Sequence, residues 1–320
     1  MLKPDLIQTD ISVIICTYNR ANILDDTLKS FINTSKKNVR YELLIIDNNS
    51  TDMTKNVCMS YCDIDPNIQY HFEQKQGLSV ARNTGVKISK GNIIAFADDD
   101  VHFDRMWLSE VKHIFDDFPD ASCMGGKSLP SFELGRPPWI VDDFLSLYGS
   151  TNSGDKIKWM IYPEYPFGLN MAFRRTVFDK IGLFNSSLGR KKKNLLSNEE
   201  CEFFWRAKQA NLKVIYNPNA ILFHQIPTER TSEDWIISRF YWQGISSVIF
   251  NQLVAPESKS VLLKKGTILC WDLARHATGG FFTPRKAYWH YKSIKLPEKC
   301  AFFLKAGIAK QLILESVKFT

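Results

Sequence analysis

Apolar and polar positions alternate in blocks along the first hundred residues, and each block predicts an element. Ile11–Cys16 (ISVIIC) is a short run rich in β-branched residues and reads as a buried strand. After the polar Thr17-Tyr18-Asn19-Arg20, apolar positions recur at helical spacing from Ile23 to Phe31. Tyr41–Ile46 (YELLII) repeats the strand signal and stops at Asp47-Asn48-Asn49-Ser50, where Ser50 or Thr51 is placed to cap a helix running toward Met59. Ile68–Phe72 predicts a third strand and Gly77–Asn83 a helix entry; Asn92–Ala97 (NIIAFA) predicts a fourth strand that ends in Asp98-Asp99-Asp100. Strands alternating with helices predict an α/β fold, a mostly parallel, Rossmann-like sheet flanked by helices.

From Cys123 the rhythm loosens through Gly125-Gly126, the proline-rich Gly135–Trp139 and the Gly/Ser/Asn stretch Gly149–Asp155. Order returns at Phe167–Phe178. Ser197 with Glu200 forms a candidate capping box for a helix through Ala210, and Val214–Tyr216 and Ala220–His224 read as short strands. Beyond Trp235 the pattern is helical, broken at Pro256, Pro284 and Pro297. The predicted division is a first half (1–125), a second half (126–235) and a helical basic extension (236–320).

Composition narrows the class. With 320 residues, 44% hydrophobic and 23% charged, the chain can bury a sizeable core, which excludes disorder and disulfide-dense miniproteins. Seven cysteines without a CxxC pair point to a reducing cytosol. The polar start and the lack of a run of about 18 apolar residues speak against a signal peptide and a membrane span. The net charge of +7 is unevenly placed: residues 261–320 hold eleven Lys/Arg against three Asp/Glu, leaving 30 against 31 in the body. The body is neutral and the tail basic, which suggests an appended surface-binding element.

Ligands of such sheets bind beyond the carboxyl ends of strands, where Thr17–Arg20, Asp47–Ser50 and Asp98–Asp100 gather. No GxGxxG follows the first strand and no GxxxxGK[ST] occurs, which disfavours a dinucleotide dehydrogenase and a P-loop kinase. Three carboxylates ending a buried strand repel one another, and a hard divalent cation relieves that repulsion; a solvated acidic turn is the plainer alternative. Asn198-Glu199-Glu200-Cys201-Glu202 opens a helix with Glu199 and Glu202 on one side and Glu200 turned about 100° away. Acids in a first turn are usually dipole partners, but a crowded, part-buried one is suited to act as a general base. His224 ends its strand, where a lone histidine is more often structural than a ligand.

The motifs ISVIICTYNR, LLIIDNNSTD, GLSVARNTG, NIIAFADDD, FGLNMAFRR and LLSNEECEF stand in this order, and over residues 10–250 the chain resembles the bacterial family 2 glycosyltransferases of the GT-A fold. The resemblance implies inverting transfer of a sugar from a nucleotide diphosphate donor to an acceptor hydroxyl, of the hexosyltransferase type, in surface polysaccharide synthesis, with 1–125 the nucleotide-sugar-binding half and 126–235 the acceptor-binding half carrying the base. It makes Asp98–Asp100 the DxD element, with Asp100 the principal ligand of Mn2+ or Mg2+ and Asp98 and His224 beside it. It assigns Thr17, Asp47, Asn48, Arg82, Asp98 and Asp99 to the nucleotide sugar, and Tyr18 and Arg20 of the same strand-end cluster are expected to bind it as well. Glu200 falls at the usual base position, with Glu199 the runner-up. Where the family often has a second Asp to accept the uracil N3 proton, this chain has Asn48, whose amide oxygen can accept that bond; a UDP-sugar is the expected donor.

Acceptor recognition is expected from the second half, with Trp139, Tyr165, Phe167 and Asn170 as candidates, although core packing is the commoner fate of such residues. Lys191–Lys193 reads as a solvated loop. Ala301, Leu304, Ile308 and Leu312 with Lys305 and Lys310 form a helix face that suits either anionic lipid or its own domain. The expected partners are the donor, a glycan or lipid-linked glycan acceptor and an anionic membrane surface, with no nucleic acid; the expected place is the cytoplasm, peripheral on the inner membrane face. The rival from another class is a non-catalytic glycan- or nucleotide-binding protein on the same fold.

Overall fold

The computed structural model describes residues 9–192, 194–278 and 294–318. The chain divides into two compact units, Met1–Ser186 with Glu199–Pro227, and Ser187–Asn198 with Thr228–Thr320. Both halves expected for nucleotide and acceptor thus fall mainly in the first unit, and the connector 187–198 groups with the helical C-terminal region.

The first unit is built on one sheet of β1 (Ile11–Thr17), β2 (Tyr41–Asp47), β3 (Ile68–Phe72), β4 (Ile93–Asp98), β5 (Val101–Phe103), β6 (Cys123–Phe132), β7 (Lys158–Met160), β8 (Asn170–Arg174) and β9 (Val214–Ile226). Their order is β3-β2-β1-β4-β8-β6-β9-β5, with β7 also on β9. β1, β2, β3 and β4 pair in parallel, as the continuous apolar runs imply for strands covered on both faces. β8 then enters antiparallel to both β4 and β6, so the sheet is mixed beyond β4.

Helices α1 (Ala21–Ile32), α2 (Thr54–Ile64), α3 (Leu78–Ile88), α4 (Trp107–Asp117), α5 (Thr176–Ile181) and α6 (Glu199–Gln209) cover the sheet. Successive strand residues face opposite ways, so Val13 and Ile15 join Leu24, Leu28, Phe31 and Trp107 on one face, while Ile14 joins Phe96, Phe173 and Phe203 on the other. Leu24 and Leu28 are fully buried one helical turn apart; truncating either to alanine costs about 2–5 kcal/mol.

Two elements differ from expectation for identifiable reasons. β6 runs ten residues through Gly125-Gly126 and Pro130, where loop was expected. The glycines serve close approach rather than a turn: a Cβ on Gly126 would lie 2.4 Å from the Ala220 carbonyl oxygen and from Asn170 Nδ2. The two short strands expected around 214–224 are one strand, β9, whose ladder with β6 slips between Gly126 and Lys127.

The second unit holds α7 (Glu233–Val254), α8 (Lys259–Thr278) and α9 (Leu296–Val317). α9 packs closely on both others, because Gly244, Gly266 and Gly307 leave no room for a Cβ against Leu304, Ile313 and Tyr241 respectively. Pro297 sits in the first turn of α9, where a proline starts a helix instead of breaking it; Pro284 and Lys193 lie outside the described residues. Among the described residues no helix is long and apolar enough to cross a membrane.

Candidate active site

Parallel pairing brings the carboxyl ends of β1, β2 and β4 side by side, with Thr17 opposite Asp47 and Cys16 opposite Asp98. The loops after β1 and β2 are stitched together: Asn48 N donates to the Thr17 carbonyl (2.8 Å), Asn19 N to Ser50 Oγ (2.8 Å) and Thr51 N to Asn19 Oδ1 (2.7 Å). Asn19 adopts φ +52, a left-handed conformation that asparagine tolerates. Ser50 and Thr51 therefore do not cap α2. Met53 stands at the start of α2 without a side-chain cap, and Asp52 in the turn before it accepts from Thr54 N at 3.0 Å.

The first nucleotide-binding candidates are held from within. Asp47 accepts from Ser50 N and from the Tyr70 hydroxyl, each at 2.9 Å. Asn48 is buried; its Oδ1 accepts from Gly77 N at 2.7 Å and its Nδ2 donates to the carbonyls of Lys75 (2.8 Å) and Glu73 (3.3 Å). The amide expected to read uracil is thus turned onto the 73–77 loop. Tyr18 stands half-buried at the strand end.

The acid turn after β4 is clamped on three sides. Thr17 Oγ1 donates to Asp99 Oδ2 at 2.8 Å; Arg20 pairs with Asp99 through Nη1 and with Asp100 Oδ2 through Nη2 at 3.0 Å. Arg20, expected at the nucleotide sugar, braces this turn. α1 adds Thr27, whose hydroxyl donates to the Asp99 carbonyl (2.8 Å) and accepts from Val101 N (3.2 Å). On the far side His224 Nε2 lies 3.3 Å from Asp100 Oδ1. The same ring's Nδ1 is 2.6 Å from the Tyr148 carbonyl, which can only accept, so Nδ1 carries a proton. A carboxylate oxygen facing the basic nitrogen of a neutral imidazole calls for a shared cation, either a proton on Nε2 or a metal ion with oxygen and nitrogen ligands. Asp100 and His224 fit a divalent ion on that ground. Asp98 does not join them: its Oδ1 lies 3.7 Å from Arg82 Nη2. Among the described residues no three Asp, Glu, His or Cys side chains gather in a metal-binding group.

Arg82, on α3, is the hub of the second cluster. Its guanidinium is 2% exposed, flanked by the rings of Phe96 and Phe184, and Nη1 reaches Glu199 Oε1 at 3.1 Å and Glu200 Oε1 at 3.0 Å. The arginine expected at the nucleotide instead ties Asp98 to the glutamates that open α6. Burial and the neighbouring charge of Glu200 push the Glu199 carboxyl up to about 8, against the pull of Arg82. For Glu200 burial works upward too, but the Arg82 charge and hydrogen bonds from its own backbone, Glu199 and Arg82 outweigh it and hold the carboxyl below its ordinary value. The pair shares one proton near neutrality, placed on Glu199, and Glu200 remains an ionised, partly exposed acceptor. Glu202 stands apart, paired with Arg206 one turn on. Nor is there a capping box: Ser197 Oγ donates to Gln243 Oε1 at 3.2 Å. Burial drives the adjoining Cys16 thiol up to about 12, so it is no nucleophile.

Of the acceptor candidates, Asn170 is a brace inside the sheet: it is 1% exposed, donates to the Lys127 and Ala220 carbonyls at 2.9 Å and accepts from Trp107 Nε1 at 3.0 Å. With all these bonds made in the interior, it offers nothing to an acceptor. Trp139 sits half-buried in the loop after β6, and Phe167 packs against the core. Tyr165 stacks between Tyr162 and Phe204, and its hydroxyl environment is shaped by Cys201 and Glu200. Sequence reasoning missed Gly168, where a Cβ would fall 1.9 Å from Glu200 Oε1 and 2.5 Å from Arg82 Nη2. It also missed Thr27 and the Tyr148 carbonyl. Gly168 inside FGLN was the one legible signal, since glycine in an apolar run marks a close approach.

A cavity of about 590 Å³ lies elsewhere, between β7 and the C-terminal half of α6, lined by Trp159, Tyr162, Phe204 and Lys208. It sits where β6 and β9 begin, the opposite end of the sheet from Asp98, and holds none of these acids.

Comparison with known proteins bears on this arrangement. The profile of Glycosyl transferase family 2 matches residues 12–182. The glucosyl-dolichyl phosphate glucuronosyltransferase of Haloferax volcanii is 27% identical over 259 residues, spanning 79% of this chain and 82% of that protein. That relative is archaeal, so the likeness does not extend to a bacterial origin. Among solved structures, the mannosyltransferase PcManGT from Pyrobaculum calidifontis in complex with GDP-Man and Mn2+ superposes with a TM-score of 0.60 at 17% identity, over 98% of this chain and 89% of that one. S. aureus TarS residues 1-349 in complex with UDP-GlcNAc gives 0.56 at 15% identity, over 95% and 82%. At such identities the structural likeness speaks for the fold.

Proposed function

This chain belongs to glycosyl transferase family 2 and has the GT-A fold, and from that premise we propose that it catalyses inverting, metal-dependent transfer of a sugar from a nucleotide diphosphate to a hydroxyl of a lipid-linked glycan. The observation that carries the reading is the Arg82 guanidinium, which holds Asp98, after β4, and Glu199 and Glu200, at the start of α6, in one ionic cluster. The acid turn and the proton acceptor then belong to one crevice rim.

Asp100 and His224 would hold Mn2+ or Mg2+. When bound, the ion supplies positive charge against the diphosphate leaving group. Thr17 and Arg20 keep Asp99 and Asp100 oriented, so that the donor meets a turn whose geometry is already set. Glu200 accepts the proton of the acceptor hydroxyl as its oxygen attacks the anomeric carbon from the side opposite the leaving group. One displacement needs one base and gives inversion. Glu199, neutral, donates to Glu200 and keeps it from competing with a second charge for Arg82.

A uridine nucleotide is the first donor to try. With Asn48 engaged on the 73–77 loop, base preference falls to other groups of the strand-end crevice, and GDP-sugars belong in the same screen. The lipid-linked acceptor follows the Haloferax relative, whose name specifies a glucosyl-dolichyl phosphate; a role in surface polysaccharide synthesis is of the same kind. A thermal-shift panel of UDP-, GDP-, CMP- and dTDP-sugars with Mn2+, followed by radiolabelled transfer to lipid extracts, tests the proposal. Stabilisation by one nucleotide family and metal-dependent transfer are expected. Donor binding without turnover on any acceptor or water would favour the non-catalytic alternative.

A further inference from the structure

We propose that the outward face of α8 docks the protein on an anionic lipid surface. This goes beyond the transfer reaction and concerns the helical unit alone. Of the two fates open to the last-helix face, lipid or its own domain, the second holds: Leu312 of α9 is buried with Val248 and Leu262, Ile308 packs against them, and the backbone at Leu304 is pressed on Gly244. α8 is different. Its buried residues Leu262, Gly266 and Leu273 define an inner side, at about 100° per residue. Toward the other side, within an arc of about 120°, fall Val261, Lys264, Lys265, Ile268, Trp271, Asp272 and Arg275, all exposed.

The chemistry of that arc selects its partner. Ile268 is 60% and Trp271 70% exposed, adjacent along one stripe, with Val261 two turns back. Large apolar side chains so open to water normally sit against something. Lys264 and Arg275 are interleaved with them, Lys265 pairs with Glu257 at 2.5 Å, and Asp272, the acid in the arc, is paired with Lys305 at 3.2 Å. An apolar stripe laced with cations suits an interface where acyl chains lie beneath anionic headgroups: tryptophan and isoleucine enter the boundary while the basic side chains extend to phosphate. A protein partner would be expected to balance the cations with acids, and the arc offers it no polar pattern beyond charge. Since among the described residues no helix can span a bilayer, the contact is with the surface.

The test is cosedimentation of the full chain with phosphatidylcholine vesicles, with and without phosphatidylglycerol. Binding is expected to the anionic vesicles and to weaken with salt. The Lys264→Glu, Arg275→Glu pair should lower partitioning by about 25-fold or more, about fivefold for each cation removed. The Ile268→Ser, Trp271→Ser pair should lower it about tenfold at unchanged charge, and Lys55→Glu on α2 should leave it unaltered. These positions are exposed, so thermal melts should stay at the wild-type value. Donor hydrolysis and transfer to a soluble acceptor should also persist in all variants, which keeps this inference separable from the catalytic one. No binding to anionic vesicles, equal binding by wild type and both pairs, or a concentration-dependent dimer abolished by the Ile268→Ser, Trp271→Ser pair would overturn it.

Discussion

Two acidic regions of the first unit handle the same problem by different means. Around Arg20 one guanidinium meets two carboxylates, Asp99 and Asp100, and the Nε2 of His224 faces the second. Around Arg82 one guanidinium meets three, Asp98, Glu199 and Glu200. Each region gathers more carboxylates than guanidinium groups, an excess that favours uptake of a proton or a cation. At Arg82 the surplus is lowered by a proton retained on Glu199. At Arg20 the surplus faces an imidazole and suits a cation from solution. On the proposed reading one region binds the metal and the other takes up the proton, the division of labour that a metal-assisted displacement requires.

The comparison breaks most visibly at Glu200. Glu200→Gln should leave donor binding intact and lower transfer by roughly 10²–10⁴-fold, whereas Glu199→Gln, which keeps a neutral donor beside Glu200, should retain transfer. A radiolabelled transfer assay with both variants reads this; equal losses would merge the two roles. Next comes Gly168→Ala. The added methyl displaces the Glu200 carboxylate and Arg82, and a misplacement of about 1 Å lowers kcat about 10²-fold, with the melting temperature and donor affinity of the acid turn largely kept.

How far these regions could be read in advance differs. Short β-branched runs ending in polar clusters fixed β1 to β4 within a residue or so, because parallel strands buried on both faces write their boundaries into hydropathy. The carboxylates Asp98–Asp100 and Glu199–Glu200 were also legible as clusters of acid at element ends. Their partners were not. Arg20 and Arg82 were expected to face the donor, and nothing in spacing reveals that Arg82 on α3 meets α6, 117 residues later. Asn170 was taken for an acceptor contact because a polar residue in an aromatic stretch looks exposed, yet burial with all its bonds made is equally compatible with that pattern. β6 escaped notice since its glycines answer to tertiary crowding, which local pattern does not encode.

On the Arg20 side, Asp100→Ala should weaken Mn2+-dependent donor binding about tenfold or more, equivalent to about 1.4 kcal/mol or more, while binding without metal changes little; calorimetry with and without Mn2+ separates the two. A smaller effect sharpens the Arg82 side. Glu199 keeps its proton in the folded chain up to about 8, whereas its ordinary value is 4.5. The folded state therefore binds the extra proton between these values, and the stability this gives is fully present below 4.5 and is lost as pH rises through 8. The melting temperature of wild type should fall across that window more than that of Glu199→Gln. Smallest for catalysis is Asn170→Ala, expected to cost about 1–3 kcal/mol of stability through unpaired interior groups while leaving the acceptor KM of the folded enzyme unchanged.

The division between the two regions is tested most directly by soaking crystals in Mn2+ with a nucleoside diphosphate and locating the metal by anomalous scattering. The account predicts a peak at coordinating distance from Asp100 and His224 Nε2, with none at Glu199 or Glu200. A peak on the glutamate pair, or none beside Asp100 while nucleotide is bound, would contradict it.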